Sequence, residues 1–114
     1  MTTSTYRVVA PPTGNIHVED HGTHLVLLLA GDVGAALRDE ASVALARASV
    51  ADVPVAFDAT HLHTIDPTGV AFLWQTAEVV AEQGRRATLL NPPAHLVDEL
   101  DTLRVSDLFT VVTD

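Results

Sequence analysis

The chain has 114 residues, which is enough for one domain with a hydrophobic core but too few for two. It contains no cysteine, and all six of its basic residues are arginine, so disulfides, thiolate chemistry and every mechanism that needs a lysine are excluded. Fifteen acidic residues give a net charge of -9, which disfavours nucleic acid and anionic membranes as partners and favours a partner with a basic surface.

The first residues lack a clear strand or helix pattern. Pro11, Pro12 and Gly14 predict a flexible or edge N-terminal arm over residues 1–14, followed by a single domain over residues 15–114. The chain has no apolar run of about 20 residues, as a membrane span requires. It also has no basic segment followed by an apolar one near its start, so we expect a cytoplasmic protein without a signal peptide.

A β-hairpin and a helix are predicted next. Ile16 and Val18 alternate with polar neighbours, while residues 25–29 are apolar throughout, which is typical of two strands joined by the His-Gly-Thr segment between them. Apolar residues then recur at helical spacing from about residue 35 to residue 49, with charged residues on the other faces.

The second half of the chain alternates strands and helices. Residues 54–60 predict a short buried strand, the apolar stripe after Gly69 predicts a helix that ends near Gly84, and residues 85–91 predict another strand. Pro92 and Pro93 open a third helix, and residues 108–112 predict the last strand. The order β-β-α-β-α-β-α-β predicts an α/β fold, in which helices pack against a mixed sheet of four to five strands.

The segment Asp-Pro-Thr-Gly, residues 66–69, stands where a strand passes into a helix, at the sheet edge where parallel strands end. Pro67 suits the first helical position, and two arrangements remain open: Asp66 caps the helix, or Thr68 does. In both, the Thr68 hydroxyl lies near the positive end of the helix, where a phosphate is stabilised. On the local pattern alone, a well-capped helix start without a further function is the favoured interpretation.

A longer pattern surrounds this segment. Within residues 53–112, a strand that ends in an acid is followed by a short link, the Asp-Pro-Thr-Gly segment, a helix, a glycine turn, an Asn-Pro pair and a Leu-Phe end. The matching positions are Asp58, Ile65, Asp66, Thr68, Gly69, Val70, Leu73, Gly84, Asn91, Leu100, Leu108 and Phe109. This combination resembles the STAS domain, which bacterial anti-sigma factor antagonists share with the tails of sulfate transporters. The resemblance implies a STAS-like sheet.

The resemblance also implies a function. In such antagonists, the second hydroxyl residue of an Asp-Ser-Ser-Gly motif is phosphorylated by a partner that is both a serine/threonine kinase and an anti-sigma factor. By position, Thr68 would be the phosphoacceptor, and Asp58, Asp66, Pro67 and Gly69 would form its loop. Unmodified, the noncatalytic protein would bind the anti-sigma factor and release a sigma factor.

Phosphorylation would reverse that binding. A phosphate adds roughly -1.5 to -2 charges beside Asp66, so binding would weaken, and a phosphatase would restore it. ATP and magnesium would belong to the kinase partner, and this chain would need no cofactor or metal.

The helix after the phosphoacceptor is the implied partner-binding surface. Phe72, Trp74 and Gln75 are its candidate contacts, together with Asp32, which takes the position of a family glutamate. Packing in the core is the competing interpretation of the two aromatic residues. The chain departs from the family pattern where Gly34 replaces an aspartate, where Pro67 replaces the first serine and where threonine replaces the second.

Other functions remain as alternatives. His61, His63 and Asp66 suggest a small metal-binding enzyme, although this segment is a tight link and a structural zinc site needs four ligands. A serine hydrolase is disfavoured because no Gly-x-Ser-x-Gly motif accompanies the candidate nucleophiles, which are Ser42, Ser49 and Ser106. Within the family, the alternative is an unphosphorylated scaffold or ligand-sensing subunit of a signalling assembly.

Overall fold

Five strands form one mixed sheet among residues 13–114, the part of the chain that the computed structural model describes. The strands are β1 (Asn15–Asp20), β2 (Leu25–Val33), β3 (Val55–Ile65), β4 (Ala87–Leu90) and β5 (Phe109–Val112). The helices are α1 (Arg38–Val50), α2 (Pro67–Glu82) and α3 (Ala94–Thr102), with short 3₁₀ turns before α1 and before β5. The predicted α/β class and order of elements are confirmed, whereas residues 1–12 of the predicted arm lie outside the described residues.

The order of strands across the sheet is the order along the chain. β1 is antiparallel to β2, and β2, β3, β4 and β5 are mutually parallel. Each of the three helices connects a parallel strand to its neighbour, always in the same direction across the sheet. Because such crossovers are right-handed, all three helices lie on one face of the sheet. Burial follows this arrangement: Leu25, Leu27 and Leu29 are buried, while Val26 and Leu28 between them are only partly covered. The carboxyl ends of β2 and β3 consequently meet at one edge.

The core lies between the sheet and the helices. Phe57 of β3 is fully buried and packs edge-on against Phe72 of α2 and Phe109 of β5, with ring centroids 6.2 and 5.9 Å away. Leu73 and Val80 of α2 are buried in the same cluster. Among residues 13–114, none of the helices combines the length and the apolarity that a membrane crossing requires.

β3 is longer than the strand predicted at residues 54–60. It continues to Ile65 because β2 continues beside it, pairing Leu62 with Gly31 and Ile65 with Val33 across two register shifts. The expectation of a tight link at His61 and His63 is therefore wrong, since both residues occupy exposed positions of a strand. Because of this extension, α2 begins beside the end of β2.

α2 begins and ends close to the residues that the sequence predicts. Pro67 is its first residue, and Gly84, just beyond its end, adopts a φ of 77°, a left-handed conformation that glycine reaches without the steric strain of a Cβ atom. Pro93 is the N-cap of α3, which agrees with the predicted start of that helix.

Truncation of Phe57 tests this description of the core. Phe57→Ala should lower the free energy of unfolding by about 3–5 kcal/mol, because it removes the aromatic ring that joins β3 to α2 and β5. Val43→Ala is the control: Val43 is 58% exposed on α1, and its change should stay within about 0.5 kcal/mol. Urea unfolding measures the free energy of unfolding of both variants. If Phe57→Ala does not fold, Phe57→Leu is measured in its place. Equal losses at positions 57 and 43 would contradict the assignment.

Candidate functional site

Asp66 is the N-cap of α2, which decides between the two arrangements that the sequence leaves open. Its backbone is extended, as a residue before proline prefers, and its Oδ1 accepts a hydrogen bond from the Gly69 N–H at 2.9 Å. Pro67 is the first helical residue and Thr68 the second. The Thr68 side chain is therefore not used as a cap.

The second carboxylate oxygen of Asp66 reaches the other helix. Oδ2 accepts from the Ala35 N–H at 3.1 Å, in the 3₁₀ turn that leads into α1. The Asp66 N–H donates to the Val33 oxygen at the end of β2, also at 3.1 Å. The hydrogen bonds from the Gly69 and Ala35 N–H groups lower the pKa of Asp66, so the carboxylate is ionised at neutral pH. One residue thus joins the end of β2, through its backbone N–H, to the starts of α1 and α2, through its side chain.

Gly34 provides the space that this carboxylate needs. A Cβ atom at position 34 would lie 2.2 Å from Asp66 Oδ2, well inside contact distance. The Gly34 backbone is extended, so the constraint is the neighbouring side chain and not the φ angle. Any side chain at position 34 would therefore displace the Asp66 carboxylate from the place that it occupies here.

Thr68 is exposed at the carboxyl edge of the sheet. It borders a cavity of about 210 Å³ between α1 and α2. This α1–α2 groove is lined by residues of both helices, chiefly Arg38, Ala41, Leu45, Thr68, Phe72 and Gln75. The hydroxyl is therefore open to another molecule while the backbone of Thr68 is fixed by the capped helix.

The candidate contacts on α2 divide between two grooves. Phe72 is only 5% exposed and belongs to the core, so it contributes little more than the floor of the α1–α2 groove. Gln75 is exposed beside it. Trp74 is half-buried and lines a second groove of about 240 Å³ toward α3, together with Pro67 and Leu103.

Asp32 lies close to the cap. It is exposed near the end of β2 and lines one cavity with Gly34 and Asp66. Its carboxylate accepts hydrogen bonds from the hydroxyl of Thr13 and, at 2.7 Å, from that of Thr64, and these lower its pKa. Two ionised carboxylates thus face the same edge.

Asp58 is not part of the loop expected around Thr68. It does not close its strand, because β3 continues to Ile65. Its Oδ1 accepts from the N–H and the hydroxyl of Thr60, at 3.0 and 2.6 Å. Asp58 therefore stabilises the middle of β3, and only Asp66, Pro67 and Gly69 of the expected loop surround Thr68.

The structure does not bring the residues proposed for a metal site together as ligands. Both carboxylate oxygens of Asp66 accept hydrogen bonds from backbone N–H groups, and His61 and His63 are exposed on β3. Within the described range 13–114, no group of three or more His, Cys, Asp or Glu side chains is placed to hold a metal ion.

Sequence reasoning missed two of the residues that shape the site. Ala35 acts through its backbone N–H, which no side-chain pattern marks. Arg38 lines the α1–α2 groove opposite Thr68, and the only sequence signal is an arginine in the first turn of a helix, where a cation is disfavoured by the helix dipole.

Solved structures share this fold. The anti-sigma factor antagonist SpoIIAA in its unphosphorylated form has a TM-score of 0.67 and 17% identity, over 76% of this chain and 82% of that chain. The Bacillus cell fate determinant SpoIIAA in its phosphorylated form has a TM-score of 0.64 and 17% identity, over 88% and 93%. An uncharacterized protein of the DUF3478 family from Shewanella loihica PV-4, with a SpoIIAA-like fold, has a TM-score of 0.53 and 14% identity, over 89% and 86%.

These likenesses confirm the predicted STAS-like fold. No protein-family model matches the chain, and no curated protein matches its sequence. At such identities the comparisons establish the fold, and the function has to be argued from the residues of the site.

Removal of the cap should destabilise the protein in a pH-dependent way. Asp66→Ala should lower the free energy of unfolding by about 0.5–2 kcal/mol at pH 7. Because the folded pKa of Asp66 is lowered, its contribution is complete above the unfolded pKa of about 4 and is lost as the pH falls through the folded value. The difference between wild type and variant should therefore shrink below about pH 4.

Urea unfolding between pH 7 and the acid range measures this difference. Asp52→Ala is the control, since Asp52 is exposed in a loop, and it should change stability by less than about 0.5 kcal/mol at pH 7. A difference for Asp66→Ala that grows on acidification would contradict the role given to the carboxylate.

A double-mutant cycle tests the fit between positions 34 and 66. Gly34→Ala should destabilise the wild-type protein by about 1–3 kcal/mol, because the new methyl group displaces the Asp66 carboxylate. In the Asp66→Ala background the same substitution should be milder by at least about 0.5 kcal/mol. Equal effects in the two backgrounds would show that Gly34 is constrained by something other than Asp66.

Proposed function

We propose that this protein is an anti-sigma factor antagonist, which binds an anti-sigma factor, releases a sigma factor, and is switched off by phosphorylation of Thr68. The observation that carries the proposal is the exposed Thr68 hydroxyl at the start of a capped helix on the edge of this fold. The fold is shared with SpoIIAA, an anti-sigma factor antagonist that has an unphosphorylated and a phosphorylated form. The protein would act without catalysis of its own, in the cytoplasm.

The position of Thr68 suits a phosphoacceptor. Asp66 fixes the backbone of the first helical turn and leaves the hydroxyl exposed, so a kinase can approach without unfolding the helix. The kinase would transfer the γ-phosphoryl group of MgATP to Oγ1 of Thr68, with ADP leaving and the hydroxyl proton passing to a base on the kinase. Threonine offers the same nucleophile as serine, and Pro67 holds it at a fixed point of the turn.

Charge is the physical basis of the switch. The phosphate would add roughly -1.5 to -2 charges at an edge that already carries the ionised Asp66 and Asp32, in a chain of net charge -9. A partner surface suited to the unmodified edge would then lose contacts and have to desolvate the phosphate. Because Thr68 lies at the surface, the affinity changes while the core stays intact.

The exposed side of α2 forms the proposed partner surface. Thr68 and Gln75 face the α1–α2 groove, Trp74 faces the groove toward α3, and Asp32 lies at the neighbouring edge. Trp74 is the natural anchor, because a half-buried indole gains much apolar contact when a partner covers it. Phe72 supports this surface from within the core.

Binding to a purified anti-sigma factor kinase from the same organism tests the proposal. Thr68→Glu should raise the Kd at least tenfold, which corresponds to about 1.4 kcal/mol, because it places a negative charge at the interface. Thr68→Val should bind like wild type but accept no phosphate from MgATP. Thr23→Glu, on the exposed turn between β1 and β2, is the charge control and should not change the Kd.

The outcomes separate the proposal from its alternative. Equal Kd values for wild type and Thr68→Glu, together with no phosphate on Thr68 in wild type, would contradict the switch and favour an unphosphorylated scaffold role. Calorimetry gives the Kd values, and mass spectrometry locates the phosphate.

A further inference from the structure

A phosphate on Thr68 would find the N–H groups of its own helix already occupied. Pro67 has no N–H, and the Gly69 N–H donates to Asp66 Oδ1 at 2.9 Å. The Thr68 N–H adds a smaller contribution, after those of Gly69 and Ala35, to the lowering of the pKa of Asp66. The stabilisation by free backbone donors expected from the sequence is therefore largely taken by Asp66. A phosphate at this position needs a cation from another element.

Arg38 is such a cation, because it lines the α1–α2 groove with Thr68. It is the first residue of α1, directly after the 3₁₀ turn whose Ala35 N–H donates to Asp66 Oδ2. The same carboxylate that caps α2 thus fixes the start of α1. This arrangement sets the long Arg38 side chain and the Thr68 hydroxyl on opposite sides of one groove.

Three other arginines of the described chain are already engaged, and the fourth, Arg104, follows α3 and does not line the α1–α2 groove. Arg47 lies 4.0 Å from an Asp20 oxygen, Arg85 donates to the carbonyl oxygens of Val53 and Ala48, and Arg86 donates to the Thr110 hydroxyl. The contacts of these arginines stabilise the ends of helices and strands.

Arg38 is exposed and takes part in neither of the two ion pairs found within residues 13–114. Its helical neighbours at i+3 and i+4 are Ala41 and Ser42, and the nearby acids Asp39 and Glu40 stand at i+1 and i+2, positions that do not face it on the helix. A cation in the first turn of a helix is also disfavoured by the helix dipole. The guanidinium therefore gains more from an incoming anion than a paired arginine would.

We infer that Arg38 is the intramolecular partner of the phosphate, and that its guanidinium binds phosphorylated Thr68 across the mouth of the α1–α2 groove. The inference rests on the proposed phosphorylation of Thr68. Guanidinium and phosphate form short, charge-assisted and often bidentate hydrogen bonds. Phosphorylation then does two things at once: it adds negative charge, and it withdraws a basic side chain from the surface and bridges the groove above Ala41 and Leu45.

The test uses the full chain with phosphothreonine incorporated at position 68 by genetic-code expansion, so it needs neither the kinase nor the partner. A ³¹P NMR titration gives the second pKa of the phosphate, which is about 6 without a nearby cation. Arg38→Gln should raise this pKa by about half a unit or more relative to the wild-type background, because a paired cation favours the dianion. Arg38→Lys should give an intermediate value.

Arg47→Gln is the matched control, since it removes the same charge near the other end of α1 and should leave the phosphate pKa unchanged. Amide NMR spectra verify that each variant is folded. The same pKa in the wild-type, Arg38→Gln and Arg47→Gln backgrounds would overturn the inference, even if Thr68 is phosphorylated and controls binding. Conversely, a raised pKa in Arg38→Gln alone would support it even if no kinase modifies Thr68.

Discussion

The carboxylate of Asp66 determines the geometry of the site. One oxygen accepts from Gly69 in the first turn of α2, and the other accepts from Ala35 before α1, so a single ionised group holds together the starts of two helices. Gly34 leaves the space for it, and Pro67 sets the turn that follows. Because Asp66 caps α2, the hydroxyl of Thr68 is left exposed. The surrounding edge of the sheet fixes the position of its backbone.

The order of strands and helices was predictable because it depends on local periodicity and on punctuating residues such as Pro67 and Gly84. The length of β3 was not, because residues 61–65 are held in the sheet by pairing with β2, which is a tertiary effect. The same extension explains why Asp58 lies inside the strand. The cap itself was one of two arrangements that the local pattern allows, but the second hydrogen bond of Asp66 comes from Ala35, 31 residues away in the chain, and no local pattern contains that contact.

Thr68 lies beside the α1–α2 groove, and Trp74 lines the groove toward α3, so α2 contributes side chains to both grooves. The fold itself is shared with proteins of only 14–17% identity, which leaves the chemistry of these grooves to individual side chains. In this chain the α1–α2 groove is lined by apolar and uncharged polar side chains, with Arg38 as its basic residue. A phosphate on Thr68 would act on an edge that carries the Asp32 and Asp66 carboxylates and the Arg38 guanidinium.

The central claim is that one carboxylate contacts both helix starts, and the amide groups themselves report on it. In an NMR titration from pH 7 into the acid range, the amide protons of Ala35 and Gly69 should shift together, with one common pKa that is lower than usual for an aspartate, because both donate to Asp66. Both shifts should vanish in Asp66→Asn. Different pKa values for the two amides, or an Ala35 amide that does not respond to pH, would contradict the claim.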